Sequence, residues 1–162
     1  MQARMRQMYL FAVVAVALVG VLGGMALAQS SNTSVGTWKL NLAKSKYRQG
    51  PVPKSTTIKI EAAGAGVKTT VDTDDGTMRH YVSTANYDGK DNPIVGNSPN
   101  GDMVARTRIN ATTTKTVTKK GGKITTTGTN VVSSDGKTLT ITTTGMNALG
   151  QTVNSVAVYD KQ

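Results

Sequence analysis

Few residues in this chain have the chemistry that catalysis needs. The chain has 1 histidine, His80, and 9 acidic residues, of which Glu61 is the single glutamate. Strand alternation through TMRHYV puts His80 on the face opposite Arg79 and Tyr81, where a solvated imidazole is expected rather than a general base. The serines in NSP, SSD and NSV do not follow a nucleophile-elbow pattern, and the aspartates stand mainly in turn sequences rather than in pairs. We therefore expect no enzymatic activity and no catalytic residue.

Metal ligands and cofactor motifs are equally scarce. The run DTDDG, from Asp72 to Gly76, resembles part of a calcium loop but lacks the spacing and the distal glutamate of a full oxygen cage. Asp-Gly is also the usual pair in a two-residue hairpin turn, which is the interpretation we favour. With 0 cysteines, the chain has no thiolate ligand and no redox pair. The sequence therefore predicts no metal site and no cofactor.

The residue that points most directly to a ligand is Arg106, in MVARTRIN. If Val104 faces the interior, Arg106 two positions later shares that face, and a buried guanidinium needs an anionic partner. In the other register Met103, Ala105 and Ile109 face the interior and Arg106 lies in water. Neither set is cleanly apolar, so the sequence leaves both registers open.

Strands must position all of these residues. From residue 55 onward, short alternating runs such as TTIKIEA, GVKTTVDT and KTLTITTTG are separated by glycine-containing turns such as KKGGK and SSDGKT. This pattern is typical of antiparallel hairpins, and abundant threonine favours strands over helices. A meander of hairpins removes its two exposed edges by closing on itself. We predict an all-β, up-and-down antiparallel barrel of about 8–10 strands, with a sandwich or an open, strongly curved sheet as the alternative.

Two segments interrupt the alternating pattern. In LAKSKYRQGPVPKS, Pro51 and Pro53 flank Val52 and cannot donate to a strand ladder, so this segment is predicted to be a long loop or lid after the first strand. In NPIVGNSPNGD, Pro93 and Pro99 favour a short strand inside a loop. Both segments are therefore expected to depart from regular hairpins.

The N-terminal residues have the pattern of an export signal. Arginines precede the apolar run LFAVVAVALVGVLGGMALA, whose final ALA suits cleavage before Gln29. We predict a signal peptide over residues 1–28, a flexible segment over 29–35 and a single β-barrel domain over 36–162. The exported protein is then secreted or periplasmic, without a cysteine for a lipid anchor. The alternative is an uncleaved membrane anchor, since the run approaches the ~20 apolar residues that span a bilayer.

The chain is strongly basic, with a formal net charge of +10. Its lysines are spread singly through strands and turns, as on solvated sheet faces, rather than gathered in one cluster. Such a field favours anionic partners, among them envelope glycan, lipid head groups and acidic small molecules. Nucleic acid is not expected, because aromatic residues make up only 4% of the chain and cannot form a base-stacking surface. We expect a monomer.

Both ends of the predicted barrel resemble a known group of proteins. GTWKL, beginning at Gly36, is similar to the first-strand signature of the calycins, which include the lipocalins and the fatty-acid-binding proteins. VAVYDKQ is similar to the closing strand of a fatty-acid-binding protein. The start GTWKLN…AKSKY…PVPKS and the repeated DGK also resemble secreted bacterial lipocalin-like proteins. In such a barrel, the glycine lets the chain cross the closed end and Trp38 covers that end as an apolar plug.

Two departures from this resemblance bear on the ligand. Fatty-acid-binding proteins hold a carboxylate with an arginine two residues before the closing tyrosine, and here Ala157 stands two residues before Tyr159. The RQGPVPKS segment also replaces their helix pair. We predict a non-enzymatic barrel that holds a small hydrophobic or amphipathic, anionic molecule, with Tyr159, Tyr87 and Arg106 as ligand-binding residues. The competing hypothesis is a ligand-free envelope module whose basic outer face contacts anionic glycan or lipid.

Overall fold

The computed structural model describes residues 32–162, which form eleven strands and one short 3₁₀ turn, Leu42–Lys44. The strands are β1 (Gly36–Leu40), β2 (Lys46–Gln49), β3 (Ser55–Ala63), β4 (Gly66–Asp74), β5 (Met78–Asn86), β6 (Asp88–Gly96), β7 (Met103–Arg108), β8 (Thr113–Lys120), β9 (Lys123–Val132), β10 (Thr138–Met146) and β11 (Thr152–Lys161). Within the same residues, no helix has the length and hydropathy needed to cross a membrane.

The strands close into one barrel. Consecutive strands from β3 to β11 pair antiparallel, β1 pairs with β3, and β1 also pairs with β11, where Leu40 lies opposite Tyr159. β2 pairs with the other half of β11, so β1 and β2 are two parts of one strand that the 3₁₀ turn interrupts. The fold is therefore a closed, ten-stranded antiparallel barrel. The predicted fold class is confirmed, and the sandwich and open-sheet alternatives are wrong.

The interruption of the first strand has a local cause. Asn41 Nδ2 donates to Asp160 on β11, and Ser45 Oγ both donates to the Asn41 carbonyl and accepts from the Val158 amide. These side-chain bonds take the place of ladder bonds across the break. The long loop predicted here is corrected by the structure, because β2 occupies its centre and only the proline-containing part between β2 and β3 is irregular.

The second irregular segment also contains more strand than predicted. β6 runs through Pro93 to its end at Gly96, and the irregular part is limited to residues 97–102. β6 accommodates the proline because β5 pairs only with its last three residues, and because its ladder with β7 shifts register between Asp88 and Asp91. The loop of residues 97–102 lies at the end of the barrel where β7 begins.

Alternation sorts each strand into an inner and an outer face. In β3, Thr56 and Ile58 are buried and Lys59 is exposed. Apolar inner side chains gather toward the end at which β1 begins, which we call the closed end; the loops after β2, β4, β6, β8 and β10 form the open end. The core cluster consists of Trp38, Ile58, Ile60, Val67, Val71, Val132, Leu139, Ala157 and Tyr159.

Residues 32–35 contact the closed end before β1 begins. Asn32 Nδ2 donates to the Tyr87 hydroxyl at 2.8 Å, and Thr33 Oγ1 donates to the Ala111 carbonyl in the loop between β7 and β8. The flexible segment expected over 29–35 stays a prediction, although its described part makes these contacts. The predicted signal peptide and its cleavage site lie outside the described residues.

Candidate functional site

The barrel encloses a cavity of about 260 Å³ that reaches from the core to the open end. Pro51, Pro99 and Asn147, from three different loops of the open end, are among the residues that line it. Trp38 is absent from its lining and fills the opposite end. The cavity is therefore a blind chamber with its mouth among the loops of the open end.

Arg106 lies on the inner wall of this chamber. Val104 and Arg106 on β7 both line the cavity, so the first of the two registers considered from the sequence is the one that the structure adopts. Arg106 Nη2 donates to Thr69 Oγ1 on β4 at 3.3 Å, and Arg106 Nε is buried without a hydrogen-bond partner in the part of the chain that the structure describes. Within residues 32–162, no carboxylate forms an ion pair with this guanidinium.

Burial of this charge is energetically unfavourable. Burial lowers the pKa of Arg106 below its usual value of 12.5, and the neighbouring hydroxyls of Tyr87 and Tyr81 partly offset that effect. Arginine nevertheless stays protonated at neutral pH. The side chain keeps some accessible surface, which opens into the cavity rather than to bulk solvent. An anion that enters the cavity would supply the partner that the barrel itself does not.

Three tyrosines line the same chamber, namely Tyr47, Tyr81 and Tyr159. Burial raises the pKa of Tyr81 to about 12, and it also raises the pKa of Tyr159 and of Tyr47 above the usual 10.0. All three hydroxyls are therefore neutral at physiological pH and can donate a hydrogen bond. Tyr159 lies where the sequence predicted it, on the inner face of β11.

The rest of the wall is mixed rather than uniformly apolar. Ile58, Val71, Ile94 and Ile141 supply apolar surface, and Thr56 and Thr73 hold each other through their hydroxyls at 2.7 Å. Hydroxyl and amide side chains form much of the remaining wall: Thr69, Ser83, Thr116, Thr118, Thr126, Asn130, Thr143, Asn147 and Ser155. Such a wall can accept the apolar body of a ligand and also hydrogen-bond its polar substituents.

A buried ion pair lies at the mouth. Asp75, in the turn between β4 and β5, is the one carboxylate among the residues of 32–162 that line the cavity. Arg79 Nε donates to Asp75 Oδ2 at 2.8 Å, and both side chains are largely buried. Because Arg79 neutralises Asp75, the charge of Arg106 is not balanced and the chamber is net positive.

The loop between β6 and β7 covers part of the mouth. The Pro99 carbonyl accepts a hydrogen bond from the Ala148 amide at 2.9 Å, and Thr125 Oγ1 donates to the Asn100 carbonyl. Pro51, from the loop after β2, lines another part of the mouth. The RQGPVPKS segment is the lid predicted from the sequence. The loop between β6 and β7 also covers the mouth, and the sequence did not identify it as a cover.

Tyr87 does not line the main chamber, which corrects the prediction that it does. Tyr87 stands at the corner between β5 and β6 and lines a separate chamber of about 20 Å³ near the closed end. Its hydroxyl accepts from Asn32, and the Arg108 guanidinium lies 4.0 Å from the centre of its ring. The Asn32 contact holds the N-terminal segment at the closed end, and a role of Tyr87 in ligand binding stays a prediction.

Gly36 and Trp38 occupy the positions at the closed end that a plug requires. Trp38 is 0% exposed, its Nε1 donates to the Ser34 carbonyl at 2.8 Å, and Lys161 Nζ lies 5.1 Å from the centre of its ring. Gly36 has a φ of +143°, and a Cβ there would lie 2.6 Å from Lys161 Cε. Only glycine fits this backbone without displacing the lysine that covers the indole.

Three residues of the site, Thr69, Tyr81 and Asp75, are not predicted from the sequence. Tyr81 could have been found from strand pairing, because it lies opposite Val71 of β4, and both residues line the cavity. Thr69 is one of many strand threonines and Asp75 one of several turn aspartates, so the sequence around them carries no distinguishing signal. Ala157 also lines the chamber, and its methyl group adds no second charge to the wall.

Comparisons with known proteins give limited similarity. No protein-family model matches the chain, and the search of curated proteins finds no similar sequence. Among solved structures, the zebrafish ileal bile acid-binding protein complexed with cholic acid is similar at 14% identity and a TM-score of 0.38, over 80% of this chain and 99% of that one. Similarity at this level carries no argument about a ligand, and the fold assignment rests on the strand pairing described above.

Proposed function

We propose that this protein is a non-enzymatic, exported and monomeric barrel that holds a small amphipathic anion in its central chamber. The observation that carries the proposal is Arg106, a buried guanidinium that faces a cavity and has no carboxylate partner within residues 32–162. A buried charge without a partner is costly, and proteins retain one mainly where a ligand completes it. Arg106 binds the anionic group in this proposal, and Tyr159 and Tyr81 contact the body of the ligand.

The cavity also limits the size and polarity of the ligand. Its volume of about 260 Å³ lies just below the roughly 300–1,000 Å³ typical of sites for drug-sized ligands, which favours a compact molecule. The threonine and serine wall favours a ligand that carries hydroxyl or carbonyl groups besides its anionic end. A long saturated chain would leave many of these wall groups without hydrogen bonds.

The competing hypothesis, a ligand-free envelope module, requires an interior filled by its own side chains. A chamber of about 260 Å³ next to an unpaired guanidinium favours the ligand-holding barrel over that alternative. Contact of the basic outer face with anionic glycan or lipid is a separate property that either kind of barrel can have.

The test combines native mass spectrometry with a fluorescence titration. We expect protein recovered from its own cells to carry a bound small molecule. We also expect it to bind 8-anilinonaphthalene-1-sulfonate, an apolar anion, in the chamber. Arg106→Leu should weaken that binding about tenfold or more, because a charge-assisted hydrogen bond is lost. Arg106→Lys should retain part of the affinity, since it keeps the charge but not the planar fork.

Arg108→Leu is the matched control. It removes a guanidinium from the same strand, two residues further on, that does not line the main chamber. Binding should be unchanged in this variant. An empty protein from native cells, together with equal binding of the sulfonate by the wild type and Arg106→Leu, would contradict the proposed function.

A further inference from the structure

Exposed apolar side chains are concentrated at one end of the barrel. Nine large apolar side chains are exposed within residues 32–162, and six of them lie on the loops or strand ends of the open end. We call these six the mouth ring: Val52, Met78, Val95, Ile124, Met146 and Leu149. Met78 is 71% exposed and Leu149 is 57% exposed. Ile109 and Val131 are the counterparts at the closed end within the same residues, so exposed apolar side chains are more numerous at the open end.

Two residues of the mouth ring, Val52 and Leu149, lie on loops that line the entrance to the chamber. Val52 lies between Pro51 and Pro53, which line the cavity, and Leu149 follows Asn147, which lines it from another loop. The ring therefore belongs to the surface through which anything enters or leaves. Apolar side chains spread over separate loops and strand ends do not form a continuous patch for a rigid protein partner.

The charges at the open end favour an anionic partner. The carboxylates of the open-end loops and strand ends are each paired with a cation, in the pairs Lys54–Asp74, Arg79–Asp75 and Lys120–Asp102. Arg48 and Lys123 are exposed at the same end and form no ion pair within residues 32–162. Residues 1–31 contain no acidic side chain that could pair with them.

We propose that the open end of the barrel docks on a lipid bilayer that contains anionic lipid. Apolar loop tips that enter the interfacial region, next to cations that reach the head groups, are the combination that binds proteins to such surfaces. A glycan fits less well, because the mouth ring has no aromatic side chain and offers little for a sugar to hydrogen-bond. Docking in this orientation turns the chamber entrance toward lipid instead of water. The inference does not require that the chamber hold a ligand.

The test is cosedimentation of the full chain with vesicles of phosphatidylcholine alone and of phosphatidylcholine with phosphatidylglycerol. The decisive variant is Met78→Ser combined with Leu149→Ser, which should weaken binding to the anionic vesicles about tenfold, because two apolar anchors are lost. The matched control combines Ile109→Ser with Val131→Ser, two exposed apolar side chains away from the mouth. All of these chains have the same N-terminal residues, so a difference between the mouth variant and its control comes from the substituted side chains.

A second pair of variants tests the charges. Lys123→Gln at the mouth should weaken binding to the anionic vesicles about fivefold, whereas Lys115→Gln, exposed near the start of β8, should not. High salt should reduce the difference between the two. All of these side chains are exposed, so unchanged thermal unfolding is expected and checks that each variant is folded.

Equal binding by the mouth variant and its closed-end control would overturn the proposal, as would equal binding to vesicles with and without phosphatidylglycerol. Self-association that the mouth variant abolishes, without any vesicle binding by the wild type, would assign the ring to a second copy of the chain and would also overturn it. Equal sulfonate binding by the wild type and Arg106→Leu, together with weaker vesicle binding by the mouth variant, would contradict the proposed function and leave docking intact, so the two proposals fail separately.

Discussion

At the closed end of the barrel, Trp38 is fully buried and its indole N–H donates to the Ser34 carbonyl. In the chamber above, Arg106 is enclosed by the same walls, but among residues 32–162 its Nε has no partner and no carboxylate balances its charge. Both residues sit inside one continuous sheet. The two residues therefore differ in how completely the protein supplies partners for their polar groups.

Such a difference separates residues that maintain the fold from residues that serve a ligand. A side chain with all of its contacts supplied by the protein lowers the free energy of the folded state and needs nothing further. A buried polar atom without a partner raises that free energy. Proteins keep such an atom where another molecule supplies its partner. The closed end thus maintains the barrel, and the chamber carries the function that we propose. Three predictions test this contrast.

The largest effect is expected at the plug. Trp38→Ala removes the largest fully buried side chain and leaves a void in the core cluster, so it should lower the free energy of unfolding by about 3–5 kcal/mol. Urea unfolding followed by circular dichroism measures this change. Trp38→Phe is the control, since it keeps an apolar ring and loses the hydrogen bond to Ser34 and only part of the buried volume; its cost should be clearly smaller. An unchanged urea midpoint for Trp38→Ala would show that the closed end does not stabilise the barrel.

The second effect is a loss of stability at alkaline pH that originates in the chamber wall. Burial raises the pKa of Tyr81 from 10.0 to about 12 and raises that of Tyr159 as well, so the folded state keeps these hydroxyl protons more tightly than the unfolded chain does. The stabilisation is fully present below pH 10.0 and is lost as the pH rises toward 12. Each such tyrosine contributes roughly 1 kcal/mol per pH unit within that window.

The measurement is urea unfolding at a series of pH values, with phenolate absorbance recorded in parallel. Tyr81→Phe should lose less stability between pH 10 and 12 than the wild type. The lowered pKa of Arg106 acts in the opposite direction, because deprotonation of the guanidinium removes a charge that burial disfavours. Ionisation of all tyrosines near pH 10 in the folded protein would show that the chamber is solvated like bulk water, and the contrast with the closed end would weaken.

The barrel could be predicted from the sequence because its cues are local. Threonine and valine alternation gives strands, and glycine turns give hairpins, so a closed meander follows from the need to remove edges. β2 was missed because Pro51 and Pro53 dominate the segment and because its ladder with β11 depends on residues more than a hundred positions away. Long-range pairing of this kind has no signature in four residues.

The site was harder to predict for equally physical reasons. Val104 and Ala105 are both buried, one facing the chamber and the other covered on the outer side, so alternation alone could not orient Arg106. Tyr87 stands at a corner between two strands, where alternation assigns no direction. Tyr159 faces the chamber because β11 alternates regularly up to it, with Ser155 and Ala157 on the same face.

The smallest effect has the opposite sign to the first and concerns Arg106 itself. Arg106→Met keeps much of the side-chain volume and removes a desolvated charge that has no ion-pair partner within residues 32–162, so stability without ligand should stay unchanged or rise by about 1 kcal/mol. Thr69 loses one hydrogen bond, which limits the gain. Urea unfolding of ligand-stripped protein measures the change, and Arg79→Met is the control: it breaks a largely buried pair with Asp75 and should destabilise. A loss of several kcal/mol in Arg106→Met would mean that the guanidinium is a structural element of the barrel, and the contrast between plug and chamber would then fail at its central residue.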